Sequence, residues 1–371
     1  MDTSEHSIVL EETALVEESL RSMAEETAIA IPLEEEEEDN TDTLDLDLHP
    51  LGLEHDVRWV QKLSRTKRVS RMILHSSLYK IIKDEDMDLS EDHEEDSQEA
   101  RLVVQLLAHL GNFAAFTHIT IHGLPFAVPV RPLARMFQQT RNTLIHLEMS
   151  HIEIVGDDGD FEELNSALKQ LNHLESVVLE QVSPGDEKRM AQIILSSSIH
   201  TQSIKLDYLL PASTVWMGEM RRFFREREER IHLRTVAKML AERPNIKSME
   251  LAVYRWGSLT PLVRALRRNR SLERLQFLFQ DGAPSQGGWA EILAKYTFRK
   301  MIRENTVLRE MNLPGSPSVQ FYLRLNRLGR HHLLKSDQAT QADWINAIVE
   351  GRDDVRVTHY FLSKNPSLLY R

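Results

Sequence analysis

Eight short segments of this chain carry apolar residues at their first, fourth and sixth positions, each after a helix-like stretch and a polar break. They begin at Val69, Phe116, Leu144, Leu174, Thr201, Ile246, Leu272 and Leu308, and Thr201 is the one position of the 24 that is not plainly apolar. In an extended strand the fourth and sixth residues share a face, so each segment reads as a strand with one buried side. The starts are separated by 47, 28, 30, 27, 45, 26 and 36 residues. A self-similar period of this length points to stacked strand-and-helix units, each packing only on its neighbours.

Helical patterns precede the strands near Leu53–Leu63, Arg101–Leu110, Pro132–Gln139, Phe161–Leu171, Glu187–Leu195, Leu233–Ala241, Pro261–Arg267 and Thr297–Ile302. Asp160 and Glu163 have the spacing of a capping box, and Thr260 precedes Pro261 at an expected helix start. Asn112, Asn142, Asn172, Asn245, Asn269 and Asn305 each lie shortly before a strand. Because Asn tolerates the left-handed backbone that ends helices, that placement predicts C-terminal caps. The three long spacings hold insertions: acidic Asp84–Glu99, charged Tyr208–Arg230 and the Gly/Pro/Ser stretch Gln280–Gly288. After Leu313 the period stops, and Ser316-Pro317 and Gly329 bracket a helix, with two more expected at 342–349 and 357–362. The boundaries that follow are an acidic, disordered tail over 1–52, a solenoid of about eight units over 53–315, and a helical C-terminal cap over 316–371. The fold class is α/β.

Charge is divided unevenly. Residues 1–57 carry 19 acidic side chains against Arg21 alone, leaving 38 acidic and 44 basic for the rest, so a tail of −18 is joined to a body of +6. The run Glu34–Asp39 repels itself, and the first 50 residues hold no Phe, Trp or Tyr. The chain has no cysteine, which excludes disulfides, thiolate metal sites and a cysteine nucleophile. No basic, apolar leader opens it and no apolar run approaches 18 residues, so a cytoplasmic or nuclear protein is expected.

The phrases NTLIHLEM, NHLESVVL, PNIKSMEL, RSLERLQF and NTVLREMNL resemble the leucine-rich repeats of the ribonuclease-inhibitor-like class. FYLRLNRLGR followed by FLSKNPSL is similar to the closing segment of algal members of that class. The resemblance covers roughly residues 55–371 and implies a horseshoe with a parallel concave sheet and helices on the convex side. The chain departs from the family pattern where Asn or Cys is expected after each strand. It has Ser77, Leu124, Ile152, Val182, Leu209, Tyr254, Gln280 and Ser316 there, so the usual polar ladder is absent.

If positions four and six face the core, positions three, five and seven line the concave face. That predicts a lining of Arg71, His75, His118, Thr120, His122, His146, Glu148, Ser176, Glu180, Lys205, Asp207, Ser248, Glu250, Arg274, Gln276, Glu310 and Asn312. Four histidines fall on the first three strands, which leaves three readings: a metal site, a pH-sensitive contact patch, or ordinary solvated side chains. His331-His332 with Arg324, Arg327, Arg330 and Lys335 forms one basic cluster, and Arg264, Arg267, Arg268, Arg270 and Arg274 another. The acidic tail has the charge to mask the second cluster. RRFFREREER at 221–230 reads as a helix laying Phe223 and Phe224 on the solenoid or docking a partner. GDDGD at 156–160 lacks the glutamate that closes a calcium loop, and reads as a helix-capping turn.

No catalytic motif, cofactor-binding motif or nucleic-acid signature emerges, so no metal and no cofactor is assigned. The expectation is a non-enzymatic module binding protein partners through its concave sheet and insertions. The alternative gives the main role to the acidic segments, which would bind a basic nuclear partner, histone-like or a small-GTPase regulator's kind of contact, with steep salt dependence.

Overall fold

The computed structural model describes residues 43–49, 52–63, 69–77, 96–113, 115–124, 126–207, 218–253, 259–279, 289–313 and 316–369. Strands and helices alternate along it. They are β1 (Thr43–Asp47), α1 (Leu53–Leu63), β2 (Arg71–His75), α2 (Asp96–Gly111), β3 (His118–His122), β4 (Val128–Pro129), α3 (Val130–Gln139) and β5 (His146–Val155). The alternation continues with α4 (Asp158–Lys169), β6 (Ser176–Ser183), α5 (Glu187–Ser197), β7 (Ser203–Asp207), α6 (Gly218–Glu242), β8 (Ser248–Val253), α7 (Thr260–Arg268) and β9 (Arg274–Phe279). It ends with α8 (Trp289–Glu304), β10 (Glu310–Met311), and then α9 (Pro317–Arg327), α10 (Arg330–Lys335), α11 (Gln341–Glu350) and α12 (Val355–Lys364). The strands pair in parallel in the order β1-β2-β3-β5-β6-β7-β8-β9-β10, with β4 beside β5. This is an α/β fold with a solenoid-like succession of units.

The register explains why the triplets recur. One inward row runs Leu44, Met72, Ile119, Leu147, Val177, Ile204, Met249, Leu275, Met311 across the strands. A second runs Leu46, Leu74, Ile121, Met149, Leu179, Leu206, Leu251, Phe277. All 24 triplet positions are buried, and Leu147, Val177, Met249 and Leu275 are each 0% exposed. Thr201 is also fully buried, and its hydroxyl donates to the Ser197 carbonyl at 2.7 Å, so the exception costs no unsatisfied group. Helix residues such as Phe161, Leu164 and Leu168 close the same core from the other layer.

Each unit is locked to the next before its strand begins. The carbonyl of Thr117 accepts from the N–H groups of Ile145 and His146, that of Ile145 from Glu175 and Ser176, and that of Glu175 from Gln202 and Ser203. The same step repeats down the sheet through Gln202, Lys247 and Glu273.

Four expectations are corrected. The sheet begins inside the segment assigned to the tail, because β1 pairs with β2 and buries Leu44, Leu46 and Leu48. The asparagines do not cap helices by left-handed backbone: among the described residues the positive-φ positions other than Gly are His151 and Gln181, and Asn269 sits at φ −65°, ψ 137°. The capping box of α4 is Asp157 with Asp160, not Asp160 with Glu163; GDDGD is thus the capping turn itself, and Glu163 faces Arg131 at 3.6 Å. Pro261 does lie in the first turn of α7, one residue further in than expected, with Thr260 already helical. Of the insertions, 84–95, 208–217 and 280–288 lie outside the described residues, as do Leu209, Tyr254 and Gln280. The segment 221–230 is helical within α6, while Phe223 and Phe224 lie outside the described side chains.

The closing helices α9 and α11–α12 fall where expected, and α10 is added between them. Trp344 packs edge-on against Phe361, with ring centroids 6.2 Å apart, inside a second small core with Leu325, Leu333 and Val357. Arg330 is only 1% exposed; it donates to the carbonyls of Ile302 and Asn305 at 2.9 and 2.6 Å and stacks over Tyr322. Within that C-terminal basic group Arg324 is paired with Asp353, His331 with Thr306 and His332 with Asp343, while Arg327 and Lys335 are exposed. Among the described residues no helix is long and apolar enough to cross a membrane.

Candidate functional site: the open face of the sheet

Because the inward rows fill the core, the alternate positions make three outward rows. Row one is Thr43, Arg71, His118, His146, Ser176, Ser203, Ser248, Arg274, Glu310. Row two holds Asp45, Ile73, Thr120, Glu148, Val178, Lys205, Glu250 and Gln276. Row three holds Asp47, His75, His122, Ser150, Glu180 and Asp207. Most of these side chains are half-buried by their neighbours, with Asp45, Asp47, Arg71, Arg274 and Glu310 exposed. Asp207 is only 8% exposed and is less accessible than a lining residue should be. Asn312 was expected to line the face. Instead its amide bonds the N–H and carbonyl of Phe277, at 2.6 and 2.8 Å, and finishes β9 where β10 has stopped.

The histidines divide between rows one and three. His118 and His146 are neighbours across β3 and β5, with ring centroids 5.8 Å apart. The Thr117 hydroxyl donates to the Ser70 carbonyl at 3.0 Å, so at 2.9 Å it accepts from Nδ1–H of His118. Burial, and then the positive charges of Arg71 and His146, push the His118 pKa below its usual value. His75 instead lies 3.2 Å from Asp45 and 3.7 Å from Asp47 on β1. Row two separates the two sets, so the four imidazoles do not converge, and among the described residues no group of three metal-ligating side chains forms.

Carboxylates knit the middle of the face. Glu148 lies 3.8 Å from His146, and the imidazole beside it holds this carboxyl below its usual range. Glu180 accepts from Lys205 at 2.8 Å, a contact that raises the lysine's pKa, and it faces His151 at 3.7 Å. Toward the far edge Arg274 donates to Glu310 at 2.6 Å, which spends the charge of that arginine.

His151 escaped the sequence reading. Gly123, His151 and Gln181 occupy the eighth position of three successive units, and all three have positive φ, at 58°, 53° and 51°. The turn at that position brings His151 edge-on against His122, centroids 5.2 Å apart, and adds it to the face. Gly123 was the available signal, since glycine adopts this backbone without steric cost. Asp45 and Asp47 also had a signal, the strict alternation of Leu44, Leu46 and Leu48 with polar residues. His122 and the Ser150 hydroxyl lie 2.6 Å apart, the spacing of a base and a nucleophile. Ser150 is 2% exposed, however, so a substrate has no access to it.

Comparison with models of known protein families gives no match, and comparison with curated proteins gives none either.

Proposed function

We propose that the chain is a non-enzymatic interaction module, a leucine-rich-repeat protein of the ribonuclease-inhibitor-like kind, whose units curve into a horseshoe and bind protein partners on the concave sheet. The repeat reading is supported by the recurring buried triplets and by one strand and one helix per unit. The binding reading rests on one observation: three outward rows of mixed charge extend across the sheet, on the face opposite the core that the helices complete. A rigid sheet of this kind presents pre-organised side chains, which lowers the entropic cost of association. Interleaved acids and bases favour selectivity over raw affinity.

The test is a comparison of captured partners between the native full chain, a face variant (Glu148→Ala/Lys205→Ala/Glu250→Ala) and a helix-surface variant (Glu162→Ala/Lys169→Ala). The reading requires partners that survive the helix-surface change and drop at least tenfold with the face change. Equal retention by both variants sinks it. If neutralising Glu34–Asp39 alone abolishes capture, the acidic segments carry the binding and the partner is basic.

A further inference from the structure

Row one begins with a run of cationic and cationisable groups. Arg71, His118 and His146 stand on adjacent strands, each step about 4.8 Å. Carboxylates sit elsewhere at this end of the face: Asp45 and Glu148 in row two, Asp47 and Glu180 in row three. Row one itself holds none before Glu310, at the opposite edge. Two of the arginines expected to be masked are already paired, Arg267 with Glu304 and Arg274 with Glu310, and the rest of that cluster lies toward the opposite edge of the sheet from Thr43. Among the described residues no carboxylate lies within ion-pairing distance of Arg71. The three groups repel one another, a strain that an added anion would relieve.

The register says where the acidic run enters. Thr43, the first residue of β1, is the row-one neighbour of Arg71. The chain therefore joins the sheet at the rim where row one lies. Only Asn40, Thr41 and Asp42 separate Thr43 from the run Glu34–Asp39, a tether of about 13 Å at full extension. Six residues span roughly 20 Å extended, enough to cover Arg71 through His146. A tether this short holds the run at an effective concentration on the order of millimolar or above.

We propose that Arg71, His118 and His146 form a docking site for a carboxylate-rich peptide, and that its resident occupant is this chain's own Glu34–Asp39 segment. The inference shares its face with the proposed binding function but needs no external partner. Docking tightens as the imidazoles gain protons. His118 uses Nδ1–H on Thr117, so its protonation creates a new donor at Nε2, suited to a carboxylate. Several other groups bear on these imidazoles. The other histidines near them are His75 and His122, four residues further along the strands of Arg71 and His118, and His151 beside His122. Glu148 and Glu180 oppose the peptide, although His146 and Lys205 already partly neutralise them. The occupied tail covers the N-terminal part of the face and is released as pH or salt rises.

The absence of cysteine permits a single spin label through Glu36→Cys in the full chain. Imidazole signals of His118 and His146, assigned with His118→Gln and His146→Gln, are then recorded against the reduced label. At pH 6 and low salt both signals should lose more than half their intensity, and they should recover at pH 8 or in about 0.5 M salt. Unbroadened signals at pH 6, or broadening indifferent to pH and salt, overturn the proposal. Mixing a labelled chain with an isotope-enriched, label-free chain tests the source, and broadening there assigns the site to a second copy and overturns docking in cis. With Glu34–Asp39 changed to Gln and Asn, the pKa of His118 should fall by about half a unit. Loss of partner capture in the face variant bears on the proposed function alone, since these spectra contain no partner.

Discussion

Ahead of β3 and β5 the lead-in to the strand is held by hydroxyls, whereas from β8 onward it is held by asparagines. Thr117 donates to the Ser70 carbonyl at 3.0 Å and Thr143 to the Phe116 carbonyl at 2.8 Å, one inter-unit bond each. Asn305 does more. Its amide donates to Leu266 and Asn269 carbonyls at 2.7 and 3.2 Å, and its oxygen accepts from the N–H groups of Val307 and Leu308. Asn245, Asn269 and Asn326 reach back to the preceding unit in the same way. The two halves also finish their strands differently, with positive-φ turns at Gly123, His151 and Gln181 in the first and the Asn312 amide in the second. A common interior therefore tolerates different polar solutions at its rims, provided every buried backbone group finds a partner.

The strongest test of that contrast is to cut the shared interior on each side. Leu147→Ala and Leu275→Ala should each cost about 3 kcal/mol by denaturant unfolding, because both are wholly buried in one core. A large inequality would mean that the halves do not share a cooperative unit. Acid should act next. His232, on α6 between the halves, is buried, at 8% exposure, and burial lowers its pKa to about 4. It is neutral when folded, so its contribution is complete above pH 6.5 and falls as pH drops from 6.5 toward 4, by up to about 3 kcal/mol. His232→Gln should flatten stability against pH over that window.

The rims come next in size. Asn305→Ala orphans buried N–H groups and carbonyls, and should cost about 2–3 kcal/mol, against about 1 kcal/mol for Thr143→Ala. Equal losses would break the distinction between the two ladders. The smallest effect has the opposite sign: Gln181→Gly relieves a left-handed backbone and should stabilise by about 1 kcal/mol, raising the thermal midpoint.

Legibility in the sequence followed burial. Leu144, Leu147 and Met149 announced a strand because a half-buried strand must place apolar groups at fixed alternation. The same rule put His118 and His146 on one face before any coordinates were needed. The role of the asparagines is not legible locally, since their spacing is local while their bonds cross between units: Asn305 reaches residues 36 and 39 positions away. Arg330 read as a surface cation and proved to be interior, because only the packing of α8, α9 and α12 surrounds it. β1 is hidden in the sequence because the acidic composition of its neighbourhood outweighs the short Leu/Asp alternation.

By itself the sequence determined the repeating interior and the two faces of each strand, because the alternation of side chains is a property of the extended backbone alone. Which outward groups meet was decided by tertiary structure. The meeting of Glu180 with Lys205, of His122 with His151, and of the tail's entry point with Arg71 depends on inter-strand register and on backbone turns at single residues. Those are set by the packing of whole units against one another, over separations that no local pattern encodes.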